Sequence, residues 1–231
     1  MTPLLLLPGM MCDARLFGPQ INALSGMRPV MTVPMDRFET MQDLAKDLLV
    51  HAPPRFAMAG LSMGGILAME VLRQAPDRVA GLALMDTNPK AETDTVKARR
   101  TPQIAAAMSG DLRRVMRDEM KPNYLADGPN TGAILDLCMA MAMDLGPEVF
   151  IRQSKALRDR PDQQETLRGF TGPALVLCGA EDTLCPLERH ELMHALMPQS
   201  HLEILPNAGH LPTLEQPALT TQALMTWLET L

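Results

Sequence analysis

A serine stands between glycines in the run Gly60-Leu61-Ser62-Met63-Gly64, where an apolar segment gives way to a helical pattern. Placed between a strand and a helix, G-x-S-x-G forms a sharp turn that projects the serine hydroxyl from the edge of a sheet. Glycines are needed because a Cβ would collide with the neighbouring strand and helix. We therefore interpret Ser62 as a nucleophile, against the alternative of a tight glycine turn without chemistry.

Two further reactive side chains follow predicted strands. A serine hydroxyl is a weak nucleophile, so it needs a histidine base that a carboxylate orients. His210 follows the strand predicted at 201–205, and Asp182 follows the strand predicted at 174–178. Parallel strands carry their carboxyl ends to one edge of a sheet, where ligands bind. The sequence therefore predicts that Ser62, Asp182 and His210 form a catalytic triad.

Two other acids compete for the role of Asp182. Asp86 follows the strand predicted at 79–85, and Glu181 is adjacent to Asp182. Asp182 itself has a structural alternative, as a turn or helix-capping residue. We retain Asp86 as the competing candidate and regard Glu181 as the weaker one.

Acyl transfer also needs donors for a developing oxyanion. The backbone N–H of Met63 directly follows the nucleophile, which is the usual position of one donor. The second comes from the loop after an earlier strand, here "PGMM", in which Pro8-Gly9 shapes the turn. We expect Met10 N–H to be that donor.

The sequence also contains an H-E-x-x-H motif, at His190, Glu191 and His194. Two histidines four apart on a helix can bind zinc, with the glutamate as general base. A zinc site needs a third ligand, and Glu215 is the one suitable candidate downstream. The helix at 188–197 is already needed to cover the sheet, so we expect two surface histidines and no metal site.

The elements that must position these residues alternate between strand and helix. Short apolar runs bounded by turn residues predict strands at 4–7, 30–33, 56–60, 79–85, 174–178 and 201–205. Helical periodicity predicts helices at 41–50, 62–74, 188–197 and 220–231. This alternation indicates a mainly parallel sheet of about six strands flanked by helices, in the α/β class.

The alternation breaks in the middle of the chain. The segment 88–172 has helical patterns near 102–120, 131–145 and 148–157 but no convincing strand. We predict a core formed by 1–87 and 173–231, with 88–172 inserted as a helical lid.

Composition excludes several classes of protein. The chain has 231 residues, 46% hydrophobic and 21% charged, which suits one globular α/β domain. A net charge of −6 argues against a nucleic-acid surface. No stretch is long enough to span a membrane, and the leucine run at the start is too short for a signal peptide. The four cysteines form no metal or disulfide pattern, so we expect reduced thiols in a cytoplasmic protein.

Four segments resemble the α/β-hydrolase superfamily: "LLLLPGMM", "FAMAGLSMGG", "ALVLCGAEDTLCP" and "LPNAGHLPTLEQP". The last two are similar to the acid and histidine segments of small bacterial esterases, enol-lactonases and cofactor-free perhydrolases. The resemblance implies the α/β-hydrolase fold and a serine hydrolase with Ser62, Asp182 and His210 as triad. Two features depart from the family: Pro8-Gly9 replaces the usual His-Gly, and two early strands are missing.

The function expected is hydrolysis of a small-molecule carboxylic ester through an acyl-enzyme, without cofactor or metal. Lactone hydrolysis, perhydrolysis and carbon–carbon bond hydrolysis are alternatives on the same triad. A zinc peptidase and a non-catalytic binding protein represent other classes.

Substrate contacts are less defined by the sequence. Met11, with Met10 and Met63, suggests an apolar, adaptable pocket. Arg152, with Arg160, is a candidate for binding a substrate carboxylate, against the alternative of lid–core ion pairs. The oligomeric state is left open, a homodimer included.

Overall fold

A computed structural model describes all residues, 1–231. It contains one sheet of six strands, and all of its neighbouring strands run parallel. The strands are β1 (Leu4–Leu7), β2 (Val30–Thr32), β3 (Phe56–Leu61), β4 (Val79–Met85), β5 (Ala174–Gly179) and β6 (His201–Leu205), arranged in the order β2-β1-β3-β4-β5-β6. The α/β sheet predicted from the sequence is confirmed.

Ten helices connect and cover the strands. They are α1 (Gly18–Leu24), α2 (Met41–His51), α3 (Met63–Gln74), α4 (Asp94–Met108), α5 (Leu112–Arg114), α6 (Thr131–Arg158), α7 (Gln164–Arg168), α8 (Leu187–Leu196), α9 (Pro212–Glu215) and α10 (Pro217–Leu228). None of them combines the length and hydropathy that a bilayer crossing requires.

The central strands are buried on both faces. Every residue of β1, β3, β4 and β5 is buried, which explains why these strands read as continuous apolar runs without alternation. The edge strands β2 and β6 are half-exposed. The core therefore lies in two layers, one on each face of the sheet.

The chain changes direction across the sheet between β1 and β3. From β1 it first adds β2 on one side and then returns to place β3 on the other, with Leu7 paired to Gly60 in register. The loops that follow β1 and β3 therefore diverge from neighbouring strand ends and leave a crevice. Such a switch point is where open α/β sheets bind ligands.

The chain between β4 and β5 is helical and contributes no strand to the sheet. It consists of α4 to α7, with a stretch of wider helical turn at Val115–Met120 after α5. The long helix α6 is broken at Gly146, which has φ +80° and precedes Pro147. A positive φ suits glycine, and proline cannot continue the helix in register, so the two residues together produce the kink.

Candidate active site

Ser62 occupies a strained turn between β3 and α3. Its φ is +54° and its ψ is −114°, a conformation that L-residues rarely adopt. Its N–H donates to the Met85 carbonyl at 2.9 Å, which fixes the turn to the neighbouring strand. A Cβ on Gly60 would lie 2.3 Å from the Gly64 carbonyl oxygen, and one on Gly64 would lie 1.9 Å from the Leu7 carbonyl oxygen. Only glycine fits these two positions.

The structure brings Ser62, His210 and Asp182 together from three separate strand ends. His210 Nε2 lies 2.9 Å from Ser62 Oγ, and His210 Nδ1 lies 2.8 Å from Asp182 Oδ2. Asp182 and His210 are both buried, whereas Ser62 is partly open. The imidazole is thus hydrogen-bonded at both ring nitrogens, once to a hydroxyl and once to a carboxylate.

Backbone amides hold the second oxygen of Asp182. Its Oδ1 accepts hydrogen bonds from Leu184 N–H at 2.8 Å and Cys185 N–H at 3.0 Å. Burial by itself would raise the pKa of Asp182, but the hydrogen bond and charge of His210 and these two amides hold that pKa below its ordinary value. The carboxylate is therefore kept ionised and pointed at the imidazole.

A second carboxylate fixes the loop that carries His210. Glu215 accepts hydrogen bonds from the amides of Gly209 at 2.8 Å, Leu211 at 2.9 Å and Ala126 at 2.8 Å. The His210 amide donates to the Tyr124 carbonyl at 2.7 Å. Glu215 is thus engaged with the backbone around His210, a role that sequence reasoning missed. The signal was its place five residues after the histidine, on the short helix α9.

Asp86, the competing acid, lies beside Asp182 and makes no hydrogen bond with His210. It is fully buried, with φ +44°, and its Oδ1 accepts the Gly179 N–H at 2.9 Å. Its Oδ2 finds no donor. Burial and the charge of Asp182 raise the pKa of Asp86 well above its ordinary value. If Oδ2 carries a proton, that oxygen does not need to accept a hydrogen bond from another residue, which would explain why no donor faces it.

Two backbone amides at the crevice make no hydrogen bond within the chain. Met63 N–H is the first of α3 and has no acceptor in its own helix. Met10 N–H, in the loop after β1, has none either. The next amide, Met11 N–H, is already committed to Gln153 Oε1 at 2.8 Å. The amides of Met10 and Met63 are therefore free to donate to a bound group.

Ser62 and His210 open onto a cavity of about 540 Å³. Met10 lines this cavity, but Met11 and Met63 do not, and both of their side chains are buried. The expected methionine-rich pocket is therefore not formed around the serine, because Met11 turns into the core beneath its loop.

Arg152 does not reach the cavity, so its expected contact with substrate is not supported. Its Nε donates to the Asp36 carbonyl at 2.8 Å, and its Nη1 lies 3.2 Å from Glu148. It points to the loop after β2 because that part of α6 packs there. Arg160, by contrast, lines the cavity.

The H-E-x-x-H histidines do not share a site. His190 is fully buried, which corrects the expectation of two surface histidines. It lies on the side of α8 that packs against the sheet, and its Nε2 accepts the Thr87 N–H at 3.2 Å. Burial lowers the pKa of His190 to about 4. His194 instead hydrogen-bonds Ser200 Oγ through Nδ1 at 2.8 Å.

A group of side chains that could hold a metal ion overlaps the Ser62–His210 arrangement. The ligand atoms of Asp182, Cys185 and His210 lie within 4.8 Å of one another. Burial raises the pKa of the Cys185 thiol well above its ordinary value, so a metal would have to displace a tightly held proton. It would also have to compete with the hydrogen bond between Asp182 and His210. All four cysteines of the chain are free.

Comparison with known proteins agrees with the fold. Residues 7–223 match a family model described as the alpha/beta hydrolase family. A pimeloyl-(acyl-carrier protein) methyl ester esterase from Citrobacter koseri is 26% identical over 191 residues, which cover 80% of this chain and 75% of that protein.

Solved structures give the same result. A thermophilic esterase from Thermogutta terrifontis, with malate bound, is 29% identical and superposes with a TM-score of 0.85, over 99% of this chain and 90% of that one. An enol-lactonase from Burkholderia xenovorans LB400 shares the fold, with 19% identity, a TM-score of 0.87, and coverage of 99% and 92%. The family match extends over nearly the whole chain, and the chain therefore belongs to the alpha/beta hydrolase family.

Proposed function

We propose that this chain is a serine hydrolase that cleaves carboxylic esters of small molecules through an acyl-enzyme on Ser62. The observation that carries the proposal is the pair of hydrogen bonds on His210, to Ser62 Oγ at 2.9 Å and to Asp182 Oδ2 at 2.8 Å. The names of the esterase relatives from Citrobacter koseri and Thermogutta terrifontis support the choice of an ester substrate.

In the first half of the reaction, Ser62 Oγ attacks the ester carbonyl while its proton moves to His210 Nε2. Asp182 accepts the Nδ1–H hydrogen bond, which holds the ring in the tautomer that leaves Nε2 free to accept. The negative charge that forms on the carbonyl oxygen is stabilised by the free amides of Met10 and Met63. The tetrahedral intermediate collapses, and the leaving alcohol takes the proton from His210.

In the second half, a water molecule attacks the acyl group on Ser62. His210 Nε2 takes a proton from this water and returns it to Ser62 Oγ as the acid product leaves. The same two amides stabilise the second oxyanion. The cycle restores every group to its starting protonation state, and no step uses a metal or cofactor.

The helical segment 88–172 serves as a lid over this cavity in our proposal. Support comes from the lining: Val96 and Gln103 of α4 and Leu157 of α6 face the same space as Ser62. In this proposal, catalysis takes place at the carboxyl edge of the sheet, and residues of the segment form the opposite wall of the cavity. Substrate selection would therefore rest on residues of the segment.

Covalent labelling tests the nucleophile directly. The protein is treated with a fluorophosphonate probe and its intact mass is measured, for wild type, Ser62→Ala and His210→Ala, with and without EDTA. Hydrolysis of p-nitrophenyl butyrate is followed in parallel. We expect one adduct and ester hydrolysis in wild type, and a loss of both in the two variants.

Two outcomes would overturn the proposal. An adduct that persists in Ser62→Ala would place the nucleophile elsewhere. Loss of hydrolysis with EDTA would point to metal chemistry, for which Asp182, Cys185 and His210 are the group of possible ligands.

A further inference from the structure

The cavity beside Ser62 carries a positive charge in an otherwise acidic protein. The whole chain has a net charge of −6. Five cationic side chains line the cavity, whereas only two carboxylates do, Glu92 and Glu119. The cations are Lys90, Arg99, Arg100, Arg160 and Arg189. A cleft lined by one sign of charge concentrates ligands of the opposite sign.

Two of these five cations, Arg100 and Arg160, form a cluster in which both guanidinium groups contact one carboxylate, that of Glu92. Glu92 Oε1 lies 2.5 Å from Arg160 Nη1, and its Oε2 accepts a hydrogen bond from Arg100 Nε. The side chains of Arg100, Arg160 and Glu92 are 13%, 6% and 6% exposed. One carboxylate can balance only one of the two guanidinium charges. A positive charge is therefore left uncompensated in a largely desolvated place, which is costly unless an anion joins it.

Arg100 also contacts the loop that follows β1. Its Nη1 is 4.0 Å from the Sδ of Met10, the residue whose amide we assign to the oxyanion. Arg100 donates Nε to Glu92, and no carboxylate accepts from its Nη2. A guanidinium with unused N–H groups suits a carboxylate, which it can bind through two parallel hydrogen bonds.

The alternative is that the cluster only fastens α4 and the residues before it to the chain that follows α6. One ion pair, Glu92 with Arg160, already joins these parts, and Arg160 Nε also donates to the Lys90 carbonyl at 3.0 Å. A purely structural link between these parts does not need Arg100 as well. It also leaves unexplained why Lys90, Arg99 and Arg189 line the cavity with no carboxylate within 4.0 Å.

From this geometry we infer that the substrate carries a carboxylate in addition to its ester group, and that Arg100 and Arg160 bind this carboxylate in the cavity. The substrate class is a half-ester of a dicarboxylic acid, or an ester whose alcohol part bears the carboxylate. The inference rests on the proposed ester hydrolysis at Ser62 and deepens it by naming the substrate class.

The test compares charged and neutral esters of the same length. For the acyl part, the pair is mono-p-nitrophenyl adipate and p-nitrophenyl hexanoate. For the alcohol part, the pair is 4-carboxyphenyl butyrate and 4-carbamoylphenyl butyrate. For each pair, the ratio of kcat/KM for the charged ester to that for the neutral ester is measured in wild type, Arg100→Gln and Arg113→Gln.

Arg100→Gln removes one charge from the cluster while Glu92 keeps Arg160 as its partner. Arg113 is a matched control, because it is an exposed arginine of the same helical segment and does not line the cavity. We expect wild type to prefer the charged member of one pair, and Arg100→Gln to lower that ratio by about tenfold or more. The ratio in Arg113→Gln should stay at the wild-type value.

The outcomes separate this inference from the proposed function. If wild type hydrolyses neither member of either pair in a Ser62-dependent way, the proposed function fails. If it hydrolyses the neutral esters but prefers no charged one, the function stands and the inference is wrong. The inference is equally wrong if a preference exists but Arg100→Gln and Arg113→Gln change it to the same extent.

Discussion

Gln153 accepts a hydrogen bond from the backbone amide of Met11 over 2.8 Å, between two residues 142 positions apart in the chain. The Nε2 of Gln153 donates in turn to the Met35 carbonyl at 2.9 Å, and the side chain is buried. Met11 has φ +56°, in the left-handed region that non-glycine residues rarely occupy. Gln153 therefore stabilises the peptide next to Met10 in this left-handed conformation. It supplies support to a loop that carries Pro8-Gly9 where the family usually has His-Gly.

Replacing Gln153 by leucine should therefore weaken the oxyanion donor without removing it. We expect Gln153→Leu to lower kcat by up to about a hundred-fold, because one oxyanion donor is worth about that much or more. KM should change little, because the oxyanion forms only in the transition state. The measurement is steady-state hydrolysis of p-nitrophenyl butyrate.

The control for Gln153 is Gln199→Leu. The Nε2 of Gln199 donates to the carbonyls of Phe170 and Gly172, outside the cavity. Both variants lose hydrogen bonds to the backbone, so each is expected to lower the free energy of unfolding by about 1–3 kcal/mol at most. An equal fall in kcat in both would mean that Gln153 acts only through stability.

Two isosteric variants test whether Asp182 or Asp86 orients His210. Asp182→Asn removes the carboxylate that orients His210 and should lower kcat by about 10⁴-fold, as for triads in general. Asp86→Asn should keep activity near that of wild type, because Asp86 makes no hydrogen bond with His210 and an amide can replace a protonated carboxyl group. Rates of labelling by the fluorophosphonate probe measure both effects. Slow labelling of Asp86→Asn together with fast labelling of Asp182→Asn would reverse the assignment.

Asp86 should also make the free energy of unfolding depend on pH. Its pKa is raised in the folded state, by burial and by the charges of Asp182 and Glu215. The folded state therefore holds a proton that the unfolded chain releases near the ordinary value of 3.8, so the contribution of Asp86 to stability falls as pH rises above that value. Relative to wild type, Asp86→Asn should become more stable as pH increases. Urea unfolding at several pH values between 4 and 8 measures the difference.

Asp182 gives a control of the opposite sign. Its pKa is lowered in the folded state, so its contribution to stability is present above the ordinary value and is lost as the pH falls through the folded value. A pH-independent difference between wild type and Asp86→Asn would contradict a retained proton on Asp86.

The turn that carries Ser62 should tolerate no side chain at Gly64. A Cβ there would lie 1.9 Å from the Leu7 carbonyl oxygen and 2.5 Å from its carbon, and neither backbone atom can move without disturbing β1. We expect Gly64→Ala to be insoluble, or to lose several kcal/mol of unfolding free energy, a size reached only by a few mechanisms.

Gly132→Ala, near the start of α6, is the matched control. No atom lies within 4 Å of a Cβ at Gly132, and its φ is not positive. Alanine there should raise the free energy of unfolding by about 0.4–1 kcal/mol, because it restricts the unfolded chain. Urea unfolding compares the two variants, and similar stability for both would show that the turn can relax around a methyl group.

The sequence alone determined the strands, the family and the spacing of the reactive residues. Apolar runs bounded by turn residues depend on local preferences, so β1, β4 and β6 were predicted at their observed bounds. Ser62, Asp182 and His210 could be picked out because each lies at or shortly after the end of a strand. In a parallel sheet that position already implies a common edge.

Only the tertiary structure showed which side chains support the loops around these residues and which ones form the far wall of the cavity. The burial of His190, the bond from Met11 to Gln153 and the cluster of Arg100, Glu92 and Arg160 all join segments far apart in the chain. No local periodicity encodes such contacts, because they depend on how a helix is rotated against the sheet and where the helical segment folds back. The same reason explains why Met11 and Arg152 were wrongly expected in the cavity. Their side chains point to the core and to the loop after β2, a direction that only packing fixes.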